Sequence, residues 1–181
     1  MRRTLAFLLG SIGGAALDRI HVRHGVLSYP EAPGQPWWVA PQFGIATIGV
    51  LESARPFADA GADADIDPVG RIVTGAAWFV GSYAASGMLD RRHARALAAA
   101  LVLCAAARTT RRRDRARALP YAHLLTAAGT AYEHFLSGTG AFSYARPDLG
   151  NVPAWLPGLY LQGAPLAIDL VASSVKPRVR G

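Results

Sequence analysis

Residues 4–17 read TLAFLLGSIGGAAL, and this stretch decides the fold class. It is apolar almost throughout, small residues recur in it as Gly10-Ser11-Ile12-Gly13-Gly14-Ala15-Ala16, and it extends into a more polar stretch reaching about Leu27. A helix that crosses a bilayer needs about 20 mostly apolar residues, so residues 4–27 read as a membrane span. Working outward, five further blocks share the pattern, at 37–53, 70–89, 94–107, 119–136 and 154–173. Six spans would use roughly 120 positions of a chain of 181. The composition agrees: 51% of residues are hydrophobic and 17% charged, with positive mean hydropathy, against roughly 25% charged in a soluble domain. Lipid tails give helices no hydrophobic reason to associate, so spans pack through Gly, Ala and Ser. The expectation is a single all-α membrane domain over 1–181, a bundle of six transmembrane helices whose small-residue faces also suit homo-oligomerisation.

Met1-Arg2-Arg3 before Leu5–Leu9 resembles a signal peptide, yet no small-x-small cleavage site precedes a soluble domain, so the block reads as a retained span. Lys and Arg in the loops set orientation. With the N-terminus inside, thirteen fall on the inner side, including the six arginines from Arg108 to Arg117, and six on the outer, among them Arg91, Arg92 and Arg95. Both termini are therefore expected in the cytoplasm.

The chain also repeats. His24-Gly25-Val26-Leu27-Ser28-Tyr29 stands 115 residues before Thr139-Gly140-Ala141-Phe142-Ser143-Tyr144, and at the same offset Gly14-Ala15-Ala16-Leu17-Asp18-Arg19 matches Gly129-Thr130-Ala131-Tyr132-Glu133-His134. Both copies start from the cytoplasmic side, so spans 1–2 and 5–6 are weak parallel repeats related by an axis near the membrane normal. Asp18 and Glu133 lie near the outer ends of their spans and need partners, because ionisable groups in hydrocarbon are costly. Arg19, Arg23 and His134 are the nearest candidates.

These residues carry a family resemblance. Tyr144-Ala145-Arg146-Pro147-Asp148-Leu149-Gly150-Asn151-Val152-Pro153-Ala154-Trp155-Leu156-Pro157 resembles, without a gap, the Tyr-x-x-Pro-Asp-x(3)-Val-x(2)-Trp-Leu-Pro stretch of the Insig (insulin-induced gene) family. Trp37-Trp38-Val39-Ala40-Pro41-Gln42-Phe43-Gly44 is similar to its Trp-Trp-Val-Pro-Pro-x-x-Gly. Phe79-Val80-Gly81, Ala85-Ser86 and Asp90 resemble its third span, and Asp114-Arg115-Ala116-Arg117 its cytosolic Asp-Arg-Ser-Arg. The resemblance implies six helices and no catalytic activity. Eukaryotic members bind oxysterols in the endoplasmic reticulum and retain the escort protein Scap. Abundant Ala and Arg beside a single lysine suggest a GC-rich bacterial genome, hence a bacterial homologue in an inner membrane.

The resemblance places Phe79 on the family's sterol-pocket phenylalanine, with Trp38, Tyr83 and Trp155 as further wall residues. Gln42 and Gln162 lie inside spans, where an amide needs a hydrogen-bond partner, and could hold a lipid head. Gln42 and Phe43 replace the family's cysteines, and Ala96 replaces a glutamine tied to sterol binding. The expected ligand is therefore a two-tailed or neutral glycerolipid such as diacylglycerol, with sterol as the alternative and a lipid-sensing, regulatory role. Asp114-Arg115 matches the family's partner-docking corner, while the arginines around it suffice for topology and headgroup contact. A small transporter or channel using the buried acids is the rival reading.

Other chemistry is thinly supported. Asp63, Asp65 and Asp67 mimic the start of a calcium loop, but Pro68 and Thr74 stand where Gly and Glu are needed. Asp67 reads better as a helix cap with Pro68 at the first helical position. One cysteine, Cys104, excludes a disulfide framework or Cys-rich zinc site, and the five histidines give no metal spacing beyond the weak pair His21 and His24. No catalytic set or cofactor motif can be built. The positive charge clusters at membrane boundaries with no nucleic-acid-binding fold, so nucleic acid is not an expected partner.

Overall fold

In the computed structural model the described residues are 3–30, 33–58 and 67–174, with the side chains of 90–92 excepted. Asp63, Asp65, Lys176, Arg178 and Arg180 lie outside them. The chain folds into α1 (Arg3–Arg23), α2 (Val39–Ala54) with a short 3-10 turn after it (Arg55–Phe57), α3 (Pro68–Thr110), α4 (Arg115–Gly138) and α5 (Leu156–Ala172). α3 is two helices joined at His93, whose backbone is non-helical (φ −137°, ψ 25°). The expected spans at 70–89 and 94–107 are thus two limbs meeting at a kink.

Local chemistry explains the boundaries. Asp67 accepts from the amides of Val69 and Gly70, both at 3.0 Å, with Pro68 at the first helical position; this caps α3 as its sequence predicts. α1 stops at Arg23, four residues short of the expected span. Gly25 takes the left-handed conformation (φ 65°) that a helix end favours, and the next residues form a strand instead.

That strand, β1 (Leu27–Ser28), pairs antiparallel with β2 (Ser143–Tyr144), in register Leu27 to Tyr144 and Ser28 to Ser143. Ser28 and Ser143 are 115 residues apart, and their hydroxyls meet at 2.9 Å. Equivalent residues of two repeats pairing with each other in an antiparallel ladder is what a two-fold axis generates. The local axis runs through this serine pair, and the sequence repeat matches α1–α2 to α4–α5 on either side of it. Packing repeats as well: Gly14 lets α1 approach the ring of Phe43 on α2, and Gly129 lets α4 approach the ring of Tyr160 on α5, with no room at either glycine for a Cβ.

The helices turn large apolar side chains outward, among them Leu9, Ile12, Val73, Leu103 and Phe135, each more than half exposed. An aqueous fold would bury such residues; a lipid-solvated one has no reason to. Two helices, Arg3–Arg23 and Pro68–Leu89, are long and apolar enough to cross a bilayer, and Leu156–Ala172 is apolar but shorter. The chain has the all-α fold of a membrane protein, with one two-residue strand pair between its helices.

Candidate functional site

Three of the six expected lipid-binding residues come together. Phe79 and Tyr83, one turn apart on the first limb of α3, have ring centroids 6.0 Å apart. Tyr83 meets His21 of α1 edge to face at 4.8 Å, and His21 lies 5.5 Å from the ring of the buried Trp155. The Ser86 hydroxyl donates to the Tyr83 carbonyl (2.8 Å), and its oxygen lies 2.9 Å from His21 Nε2. His21 and Ser86 complete this knot. The sequence offered no cue for the pair, which is separated by 65 residues.

The other three lie elsewhere. Gln162 is fully buried and committed at both ends of its amide: Oε1 accepts from Arg108 Nη1 (2.7 Å) and Nε2 donates to the Leu101 carbonyl (3.0 Å). Trp38 packs edge to face on Tyr29 at 5.5 Å. Gln42 lies beside Tyr132 of α4. The structure therefore distributes the six residues over separate parts of the bundle.

The two acids of the repeats find neutral partners rather than the expected arginines and histidine. Asp18 Oδ2 accepts from Tyr29 (2.9 Å) and from Gln35 Nε2 (2.7 Å). Glu133 accepts from Tyr144 (3.1 Å) and Tyr160 (3.2 Å). His134 instead accepts at Nδ1 from the Asn151 amide, at 3.1 Å. The reason is geometric. In each repeat the chain reverses after the helix and brings a tyrosine eleven residues on back over the acid. Phenol and amide donors satisfy a carboxyl group without adding a second charge to an apolar core. Both acid–tyrosine pairs sit inside the matched repeat segments, so the recurrence of the spacing was a usable sequence cue.

At the end of the bundle holding the first turn of α3 and the last turns of α5, four charges interlock. Arg112 grips Asp114 with two bonds, Nε to Oδ1 at 2.7 Å and Nη2 to Oδ2 at 2.8 Å. It also reaches Asp169 of α5, with Nη1 to Oδ2 at 3.1 Å and Nη2 to Oδ1 at 2.8 Å. Arg71 pairs with the same Asp169. Burial pushes the Asp114 carboxyl up, but the doubly bonded guanidinium outweighs it and holds the group below the usual carboxylate range. Of the expected docking corner, Asp114 is buried in this network and Arg115 is exposed. An aspartate inside an apolar block required a partner, so Asp169 was a readable cue that sequence reasoning passed over.

Two cavities open at opposite ends. One, of about 310 Å³, lies between α1, α2 and α5. Ala6, Ile48, Leu51, Leu170 and Val171 give it apolar walls. At its rim Glu52 bridges Arg3 (2.9 Å) and Arg55 (2.8 Å). The other, of about 340 Å³, lies at the α3 kink, lined by His93, Ala94, Arg95, Ala96, Arg146 and Asp148. None of the six expected residues lines either cavity. No cluster of three or more metal-ligating side chains occurs among the described residues.

Two helix pairs matched by the 115-residue repeat, packed about a kinked central helix and rich in outward-facing apolar side chains, define an all-α membrane-type fold. That fold is Insig-like. A mycobacterial Insig homologue, MvINS from Mycobacterium vanbaalenii, matches with a TM-score of 0.76 and 22% sequence identity, over 98% of this chain and 96% of that one. A cross-linked trimer of an arginine-to-cysteine variant of MvINS matches with a TM-score of 0.77 and 21% identity, over the same shares. No protein-family model and no curated protein matches the chain.

Proposed function

We propose that this Insig-like membrane protein binds a membrane lipid between its helices and has a regulatory, lipid-sensing role without catalysis. The observation that carries the reading is the cavity between α1, α2 and α5, apolar in its depth and charged at its mouth. Ligand sites combine an apolar lining with a few polar groups that orient the head. Here the Arg3 and Arg55 guanidinium groups can donate to ester carbonyls, and the Glu52 carboxylate can accept from a hydroxyl. A diacylglycerol-like lipid carries both groups; a sterol carries only the hydroxyl. The glycerolipid is therefore the favoured ligand and sterol the alternative. The cavity admits the head and the start of the tails, and the remaining acyl chain lies in the bilayer.

The test is lipid retention. Protein purified in mild detergent is expected to carry a glycerolipid detectable by native mass spectrometry, displaced by added diacylglycerol more readily than by sterol. Leu51→Trp, which fills the cavity, abolishes retention. Protein that is free of both lipids and binds neither on addition overturns the reading.

The proposed setting is a bacterial inner membrane, with six crossings, both termini in the cytoplasm and self-association into a small homo-oligomer, as the cross-linked MvINS trimer encourages. A membrane-protein partner, by analogy with the Insig family, would dock near Arg115. One observation favours a different reading: Asp18 and Glu133 make no ion pair among the described residues, which suits a proton path. Proton flux into proteoliposomes that Asp18→Asn or Glu133→Gln abolishes would establish a transporter; no flux leaves the lipid-binding reading standing.

A further inference from the structure

The second cavity, at the α3 kink, lies at the opposite end of the bundle from the one assigned above, and its chemistry is different. Its polar side chains are His93 and Arg95 at the start of the second limb of α3, and Arg146 and Asp148 from the segment after β2. Among the described residues, neither arginine makes an ion pair, and the Asp148 carboxylate accepts no hydrogen bond. Unpaired charges of both signs thus line an open, water-facing hollow of about 340 Å³, whose polar side chains are all exposed. The departure from helical geometry at His93 turns the chain there, and the small side chains of Ala94 and Ala96 leave the space beside it unfilled.

We propose that this pocket binds a phosphoethanolamine head: its phosphate on Arg95 and Arg146, with His93 beside it, and its primary ammonium on Asp148. Guanidinium groups are suited to phosphate, which they bind through paired charge-assisted hydrogen bonds. Two of them facing water without a carboxylate partner leave that capacity unused. The aspartate decides between headgroups. A phosphoglycerol head has no cation for Asp148, and the carboxylate repels its phosphate. A choline head carries a quaternary ammonium that cannot donate a hydrogen bond and is recognised by aromatic faces, and no aromatic residue lines the pocket. A primary ammonium meets both requirements. The pocket stands where a headgroup would be, level with the β1–β2 pair at the ends of the apolar helices. A lipid headgroup and soluble phosphoethanolamine share this chemistry, and the experiment separates them.

Full-length protein in nanodiscs of phosphatidylcholine, doped equally with phosphatidylethanolamine and phosphatidylglycerol, is released into detergent and its bound lipids counted by native mass spectrometry. Phosphatidylethanolamine is expected to be retained about tenfold over either other lipid, the worth of one charged hydrogen bond. Arg95→Gln with Arg146→Gln removes retention of phosphatidylethanolamine altogether. Asp148→Asn moves preference toward phosphatidylglycerol while retention continues, a reversal that a merely misfolded variant cannot give. Displacement of the retained lipid by millimolar phosphoethanolamine assigns recognition to the head alone; persistence of the lipid adds a tail contribution to the same site. Equal retention of the three lipids, or an unchanged preference in Asp148→Asn, overturns the proposal. Leu51→Trp leaves this preference untouched, so failure here and failure of the cavity between α1, α2 and α5 are separately visible.

Discussion

The two halves of the molecule solve one problem in two ways. In α1–α2 a carboxylate at Asp18 is held by Tyr29 and by Gln35, a residue of the connecting loop. In α4–α5 the equivalent Glu133 is held by Tyr144 and by Tyr160, a residue of the second helix. The ring against Gly14 is Phe43 and the ring against Gly129 is Tyr160, so at this position the two halves differ by one phenol hydroxyl. Where the helix supplies that hydroxyl, the loop is not needed; where it does not, the loop must close over the acid. The first half therefore ties its acid to loop closure, and the second is self-contained.

The largest expected effect breaks the self-contained half. Glu133→Ala strands two tyrosine hydroxyls inside the bundle and leaves a void, a loss of about 2–4 kcal/mol read from thermal unfolding in detergent. Asp18→Ala costs less, about 1–3 kcal/mol, because Gln35 is only partly buried and can turn to water. Equal losses would mean that the loop is as rigid as the helix. The glycines sharpen the same contrast. Tyr160 is anchored through its hydroxyl and cannot swing away, whereas Phe43 carries no such tether. Gly129→Ala is expected to destabilise by about 1–3 kcal/mol, and Gly14→Ala by less.

A third experiment converts one half into the other. Gln35→Leu removes a donor from Asp18 and costs about 0.5–1.5 kcal/mol. Adding Phe43→Tyr places a hydroxyl where the other half has one and recovers most of that loss. Simple additivity of the two substitutions would show that Phe43 does not occupy the position that the repeat assigns to it.

The unpaired acids also contrast with Asp114, whose carboxyl is held below its ordinary range by Arg112. A carboxyl depressed in the folded state stabilises fully above its unfolded pKa, about 3.9, and loses that contribution as pH falls through the lower folded value. Unfolding monitored on acidification below about pH 4 is expected to show this loss, and Asp114→Asn to remove it from the profile. An unchanged acid limb would assign the depression no role in stability.

Much of this was open to sequence reasoning, and the boundary is instructive. The apolar blocks fall on α1 to α5, because a helix that turns an apolar face outward carries that composition over a whole stretch rather than at single positions. The offset of 115 places Asp18 against Glu133 and Ser28 against Ser143 in the sequence itself. The partners are not the neighbouring charges that the sequence suggests, because the chain reversal after Gly25 and after Gly140 delivers tyrosines instead. Phe79, Tyr83 and Trp155 were expected in one wall together with Trp38, which packs on Tyr29 instead; His21 and Ser86 were not expected, since a contact across 65 residues leaves no local pattern. Cavities are harder still. Their shapes depend on how α1, α2 and α5 splay, and Leu51 or Val171 looks like any other apolar residue of a span.

The smallest effect bears most directly on the symmetry. Ser28 and Ser143 hydrogen-bond to each other at 2.9 Å in an exposed position, so water can replace either hydroxyl, and each single alanine substitution is expected to cost about 0.5 kcal/mol or less. The two-fold relation demands more than a small number. Equivalent residues facing each other across an axis lose the same bond whichever one is cut, so Ser28→Ala and Ser143→Ala must cost alike. The double variant must cost no more than either alone, because the bond is already gone. Equality of the singles with a non-additive double would mark the serine pair as the meeting point of the two halves. Unequal singles would mean that one strand holds its place through contacts the other lacks, and the asymmetry of the carboxylate sites would then extend to the axis itself.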